Sequence, residues 1–207
     1  MLEVLYEDNH IIAINKKSGD IVQGDKTGDT PLSDFVKQYI KKKYKKPGEV
    51  FLGTIHRLDR PTSGIVLFAR TSKALTRMNE QFREKQVQKT YWAIVDNAPT
   101  STSGKLENYL QKNQKQNKSY VTKGPDSKHA VLDFKLLKKL DNFYHLEIKP
   151  KTGRHHQIRV QLAHIGCIIK GDLKYGAKRS NKDASIHLLA QKLEFLHPVK
   201  KEPITIV

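Results

Sequence analysis

Two short runs rich in Val, Ile and Tyr open the chain, Leu2 to Asn15, split at Asp8 and Asn9; the pattern predicts a β-hairpin. The period then changes. Thr30 followed by Pro31 supplies a helix opening, and Leu32, Phe35, Val36 and Tyr39 recur at helical spacing. That helix runs into Lys41 to Lys46, five lysines around Tyr44, and stops at Pro47 and Gly48. Ile65 to Ala69 is a continuous apolar run of strand length, which predicts a buried strand. Ser72 is placed to cap a helix whose apolar positions are Leu75, Met78 and Phe82, and Val87 to Val95 returns to strand character around Tyr91 and Trp92. Gln111 to Ser119 is polar and lysine-rich with no apolar period, so it reads as a loop, a hairpin tip or a disordered stretch. Strands resume at His129 to Leu137 and Phe143 to Ile148, with Asp141 and Asn142 as the turn. From Gln157, Ile158, Leu162 and Ile165 follow helical spacing up to a stop at Gly166, and further short strands close the chain. The irregular mixture predicts an α+β fold, a mixed and largely antiparallel β-sheet with flanking helices and loops. No repeat or linker interrupts it, and no leader precedes the first hairpin, so one domain over 1–207 is expected.

Charge narrows the partners. Lys and Arg number 38 against 21 acidic residues, a formal charge of +17, more than solubility requires and suited to a polyanion such as RNA or DNA. An anionic membrane would also attract it, but there is neither a signal peptide nor a long apolar span, so no membrane partner is expected. The single Cys167 lies in the apolar stretch Ile165 to Ile169 and reads as a buried structural thiol, consistent with a reducing cytoplasm. The Lys41 to Lys46 tract is either a solvated face or an RNA-backbone contact.

The densest chemistry lies at His56-Arg57-Leu58-Asp59-Arg60-Pro61-Thr62-Ser63-Gly64, one carboxylate among basic and turn residues just before the buried strand. Pro61 and Gly64 suit a constrained turn, and the Thr62 and Ser63 hydroxyls can bond local backbone, which would hold Asp59 rigidly. Spacing alone also allows Asp59 merely to pair with Arg57 or Arg60. A second segment is Thr152-Gly153-Arg154-His155-His156-Gln157-Ile158-Arg159, followed by Gly166 and by Lys170 to Tyr175; a third is Lys89-Thr90-Tyr91. Together these resemble the HRLDxxTSG, GRxHQIR, GDxxYG and KxY signatures of RluA-type RNA pseudouridine synthases, and Tyr6 to Gly19 resembles the family's opening hairpin and its NKPxG ending. The resemblance covers nearly the whole chain. Two positions depart from it: Lys17 stands where the family usually has proline, and Leu189 where a histidine commonly precedes the closing His197-Pro198.

The resemblance implies the pseudouridine synthase catalytic domain, without the S4-like domain of many relatives, and the conversion of uridine to pseudouridine in ribosomal or transfer RNA. It makes Asp59 the catalytic carboxylate, acting as nucleophile or through a deprotonated sugar intermediate. A carboxylate, with a reference pKa of about 3.9, is ionised for either role. By the same resemblance Arg159 orients Asp59 through a salt bridge, where the residue-level alternative is a helix-surface arginine. Tyr91 becomes an acid, base or stacking platform rather than a core tyrosine. Arg57 helps displace the target base, which must leave its stack before the glycosidic bond can be reached. His56 contacts backbone or packs, and with Arg57, Arg60, Arg154 and Lys151 it makes up the candidate RNA contacts.

The reaction is an isomerisation and needs no redox group or donor, so no cofactor is expected. Nine histidines raise the question of a metal, but His155 and His156 are adjacent and no Cys or acidic ligand set accompanies them, so no metal site is expected. The Gly24 to Gly28 stretch has neither phosphate-loop nor dinucleotide spacing and reads as a turn-rich loop. A noncatalytic RNA-binding or ribosome-assembly protein with the same fold is the rival reading, and a monomer is the simplest assembly.

Overall fold

The computed structural model describes residues 2–25 and 27–207. The glycine loop at 24–28 contains Lys26, which lies outside the described residues. The chain divides into two compact units, residues 1–88 with 191–207, and residues 89–190.

In the first unit the opening hairpin forms from β1 (Val4–Glu7) and β2 (Ile11–Lys16), with the Asp8 carboxylate accepting the N–H groups of His10 and Ile11 at 2.7 and 2.9 Å to close the turn. β2 pairs antiparallel with β4 (Ser63–Ala69), and β3 (Gly53–Thr54) adds to β4 from its other edge. β2 and β4 are apolar at nearly every position because both of their faces are covered. Ile11, Ala13, Ile65, Leu67 and Ala69 face α2 (Ser72–Arg83) through Ala74 and Met78, whereas Ile12, Ile14, Val66 and Phe68 face α1 (Leu32–Lys43) through Leu32, Val36 and Ile40. Two helix starts fall one residue from their expected places. Pro31, not Thr30, is the N-cap of α1, and Thr71, not Ser72, caps α2, its hydroxyl accepting the Ala74 N–H at 3.2 Å. Phe35, expected on the buried stripe, is 49% exposed; the inward face advances by four residues through Leu32, Val36 and Ile40.

The second unit holds an antiparallel sheet ordered β5-β9-β8-β6-β7, formed by β5 (Gln88–Val95), β9 (Tyr144–Pro150), β8 (Lys128–Lys139), β6 (Ser103–Asn113) and β7 (Lys118–Val121). β5 opens on Gln88, the last residue assigned to the first unit. The polar Gln111 to Ser119 stretch is a hairpin tip, with Asn113 opposite Lys118, and β6 extends well before it. The pattern concealed β6 because its burial alternates weakly and eight of its residues are polar or glycine. α3 (Gln157–His164) packs Ile158 and Leu162 against Ala93, Leu132, Leu146 and Ile148, and ends where Gly166 takes φ +78°. Cys167 is fully buried in the same cluster, and burial pushes its thiol up to about 11. β10 (Leu188–Leu196) begins in this unit and ends in the first, where it pairs with β11 (Pro203–Ile206). Every pairing between these strands that has been described is antiparallel, and the α+β architecture is the one the pattern predicts.

Candidate active site

Asp59 lies on the connection between β3 and β4, where the Thr62 N–H donates to the Asp59 carbonyl at 3.0 Å and closes a turn over Arg60 and Pro61. The turn is not held by the Thr62 hydroxyl, which is buried and makes no hydrogen bond to a described residue. Lys16, the last residue of β2, fixes it instead. Its side chain is 0% exposed, and its Nζ donates to the carbonyls of Lys17 at 3.1 Å, Arg60 at 3.0 Å and Thr62 at 2.6 Å. Ser18 Oγ donates to the Pro61 carbonyl and the Gly19 N–H to the Arg60 carbonyl, so Lys16 and the segment after it occupy the carbonyls of Arg60, Pro61 and Thr62. Burial pushes the Lys16 ammonium down to about 8, against the pull of the Asp20 and Asp59 carboxylates that face it. The Lys17 departure leaves this arrangement in place, because the loop is tied through backbone groups.

The neighbours of Asp59 divide by exposure. His56 is half-buried, stacks on Phe82 at 5.2 Å between ring centroids and accepts the Leu67 N–H on Nε2 at 3.1 Å. Arg57 is exposed. Arg60 is exposed and pairs with Asp29 at 2.6 Å.

In the second unit, Tyr91 sits on β5 opposite Ile148, half-buried against the main cluster. Lys89, two residues earlier, reaches within 3.8 Å of where a side chain on Gly153 would begin, and burial lowers its ammonium. The turn from Lys151 to Gln157 is built around two side chains. Thr152 Oγ1 accepts the Val131 N–H at 2.9 Å and donates to Gln157 Oε1 at 2.7 Å, while the same Oε1 accepts the Arg154 N–H at 3.0 Å. Arg154 is exposed and donates from Nε to the His129 carbonyl at 2.9 Å; Lys151 is exposed and pairs with Asp133 at 3.2 Å. His156 enters α3 at φ +52°, with its Nδ1 3.0 Å from the Tyr175 hydroxyl, and burial together with the Arg159 cation pushes its imidazole down to about 2. Arg159 is no surface arginine: it is 4% exposed and bonded in two-pronged fashion to Asp172.

Thus the first unit carries His56, Arg57, Asp59 and Arg60 on the connection between β3 and β4, and the second carries Tyr91, Lys151, Arg154 and Arg159. Among the described residues no group of three His, Cys, Asp or Glu side chains could hold a metal ion, and no helix is long and apolar enough to cross a membrane.

Residues 10–164 match the family model described as RNA pseudouridylate synthase. The chain belongs to this family. Its curated relatives include the ribosomal large subunit pseudouridine synthase C of Buchnera aphidicola subsp. Baizongia pistaciae, 34% identical across 98% of this chain and 65% of that protein. The tRNA pseudouridine synthase C of Pectobacterium carotovorum is 32% identical across 100% of this chain and 58% of its own length. The chain therefore spans somewhat less than two thirds of the length of these relatives. Among solved structures, human RNA pseudouridylate synthase domain containing 4 superposes with a TM-score of 0.82 at 25% identity, covering 99% of this chain and 87% of that one. The RluA-type signatures and the fold of this RNA pseudouridylate synthase family member agree.

Two residues of consequence were not singled out from the sequence. Lys16 lies in the stretch that resembles NKPxG, and Asp172 in the stretch that resembles GDxxYG. The motifs were visible, but not that these side chains would be buried and charged.

Proposed function

We propose that this protein isomerises uridine to pseudouridine in ribosomal or transfer RNA. The observation that carries the proposal is the Asp59 turn, whose backbone carbonyls are held by the buried Lys16 ammonium, in a chain of the pseudouridylate synthase family. A group fixed this way costs little reorganisation when the reaction begins. The bond between ribose C1′ and uracil N1 breaks, the base turns, C1′ bonds to C5, and the C5 proton leaves as N1 gains one. Atoms and electrons balance without a redox partner or group donor, so the proposal needs no cofactor.

Asp59 acts at the sugar, as nucleophile or as base, and Arg159 orients it; the rigid placement of Arg159 supports that role. Tyr91 offers its phenol and ring to the extruded base, and Arg57, exposed and two residues before Asp59, helps to displace it. Arg154, Arg60, Lys151 and His56 complete the RNA contacts. Arg60 and Lys151 would exchange exposed carboxylate partners for phosphate, an inexpensive trade because such surface pairs contribute at most about 1 kcal/mol. The protein acts as a monomer in the cytoplasm.

The test is tritium release from ribosomal and transfer RNA labelled at C5 of uracil. The wild type should release tritium from at least one RNA, and Asp59→Asn should bind RNA and release none. Retained release by the variant would sink the assignment of Asp59; tight binding without release by the wild type would favour the noncatalytic reading.

A further inference from the structure

A single carboxylate anchors the lysine tract at the end of α1 without neutralising it. Glu7, whose side chain is 8% exposed at the end of β1, accepts from the hydroxyls of Tyr39 and Tyr44 at 3.0 and 2.8 Å, from Lys43 Nζ at 2.6 Å and from Arg70 at 3.0 Å. Two cations on one carboxylate leave this cluster itself positive. It clamps the last turn of α1 to the strands, while Lys41, Lys42, Lys45 and Lys46 stay exposed. Among the described residues none of these four pairs with a carboxylate, unlike Lys37, Lys149 and Lys192, which pair with Asp34, Glu147 and Glu194.

The backbone fixes the tract as well. The Lys46 N–H donates to the Lys41 carbonyl at 3.1 Å and the Lys45 N–H to the Lys42 carbonyl at 3.4 Å, the paired closure of a helix end, with Lys45 at φ +48°. Glycine suits that left-handed position, and an L side chain there costs stability. The lysine that occupies it adds a further exposed cation where the fold alone favours none.

The patch stands at the other end of the first unit from Asp59. α1 starts beside the segment that ties the Asp59 turn, where the Leu32 N–H donates to the Ile21 carbonyl, and its twelve residues rise about 18 Å at ~1.5 Å each. β4 leaves the same turn at Ser63 and its seven residues lead to Arg70, about 23 Å away at ~3.3 Å each. Both measures put the cations roughly 20 Å from Asp59, too far to act on the reacting atoms.

We propose that Lys41, Lys42, Lys45 and Lys46 form a distal patch that grips the phosphates of a substrate RNA on the order of six stacked nucleotides from the target uridine. This rests on the reading that the chain acts on RNA. It makes long, folded RNA the favoured substrate class, because a short stem–loop seated at the Asp59 turn does not reach the patch.

The experiment measures the Kd of the full chain, as a function of salt, for two fragments of ribosomal RNA: a short stem–loop, and the same stem–loop extended by a helix longer than that reach. Lys41→Gln, Lys42→Gln, Lys45→Asn and Lys46→Gln together should weaken binding of the extended RNA by about tenfold or more and lower the slope of log Kd against log salt by about 2–3, while affinity for the stem–loop changes by less than about threefold. Arginine at the same four positions should keep the binding of the extended RNA. Lys45→Gly alone should raise the melting temperature by about 2–4 °C yet weaken binding of the extended RNA by about twofold or more, a pairing that a purely structural lysine would not give. Equal losses on both RNAs would reduce the patch to a share of the overall charge, and unchanged affinity for the extended RNA would leave it to another polyanion such as an anionic phospholipid surface; either result overturns the proposal. Pseudouridine formation by the wild type is scored separately on ribosomal and transfer RNA, so failure of the catalytic reading shows there and not in the comparison of the two fragments.

Discussion

Lys16 and His156 are two buried basic side chains whose pKa values are pushed in the same direction by burial and whose settings differ. Lys16 gives its three protons to three carbonyls, and replacing it with methionine leaves those carbonyls without their donor. Lys16→Met should cost about 1–3 kcal/mol of stability and most of the turnover, measured by chemical denaturation and by pseudouridine formation. Unchanged turnover would separate the Asp59 turn from its anchor. His156 stays neutral in the native state down to about pH 2, whereas an unfolded histidine gains its proton near pH 6.5. The unfolded state therefore binds more protons in between, and this residue makes stability fall as pH drops below about 6.5, by at most about 1.4 kcal/mol per unit. His156→Asn, which tolerates the left-handed backbone, should flatten the loss of melting temperature between pH 6.5 and 4; equal slopes would contradict the assignment. At this scale the sequence shows which residue types are present but not their protonation or partners. The resemblance pointed to Arg159, yet nothing local in Gln157-Ile158-Arg159 announces a buried arginine, because its partner Asp172 lies beyond the end of the helix.

Elements built on strong periodicity were legible, and those shaped by tertiary partners were less so. The runs around β2 and β4 are apolar throughout because helices cover both faces, and this is why they stood out. α1 stands where its spacing placed it but with Phe35 turned outward rather than inward, since Phe35 and Val36 satisfy the same spacing and only the contact with Ile12, Ile14 and Phe68 selects between them. Val36→Ala, at 0% exposed, should destabilise by about 2 kcal/mol, whereas Phe35→Ala should change stability by no more than about 0.5 kcal/mol. Equal effects in thermal melts would contradict the orientation of the helix. The lysine tract at its end also divides. Lys43 is bound by Glu7 at 2.6 Å, together with the hydroxyls of Tyr39 and Tyr44, while Lys41, Lys42, Lys45 and Lys46 stay exposed. Lys43 thus serves the fold, a role that neither reading of the tract foresaw.

For the molecule as a whole, a charge of +17 dominates any encounter with RNA. Binding should weaken linearly on a log–log plot against salt, losing about 0.7 in slope for each phosphate contacted on single strands, and replacing Arg154 with alanine should reduce that slope by about one contact without altering which uridine is modified. A shift in the modified position would assign Arg154 to reading the RNA rather than to holding its backbone. Family membership was legible because its signatures are spread along nearly the whole chain. The most direct measurement of the central claim is single-turnover formation of pseudouridine on RNA already bound by wild-type protein and by Asp59→Asn, with the products digested to nucleosides and quantified. Conversion by the wild type and none by an equally RNA-bound Asp59→Asn would place the chemistry on that carboxylate; conversion by both would contradict it.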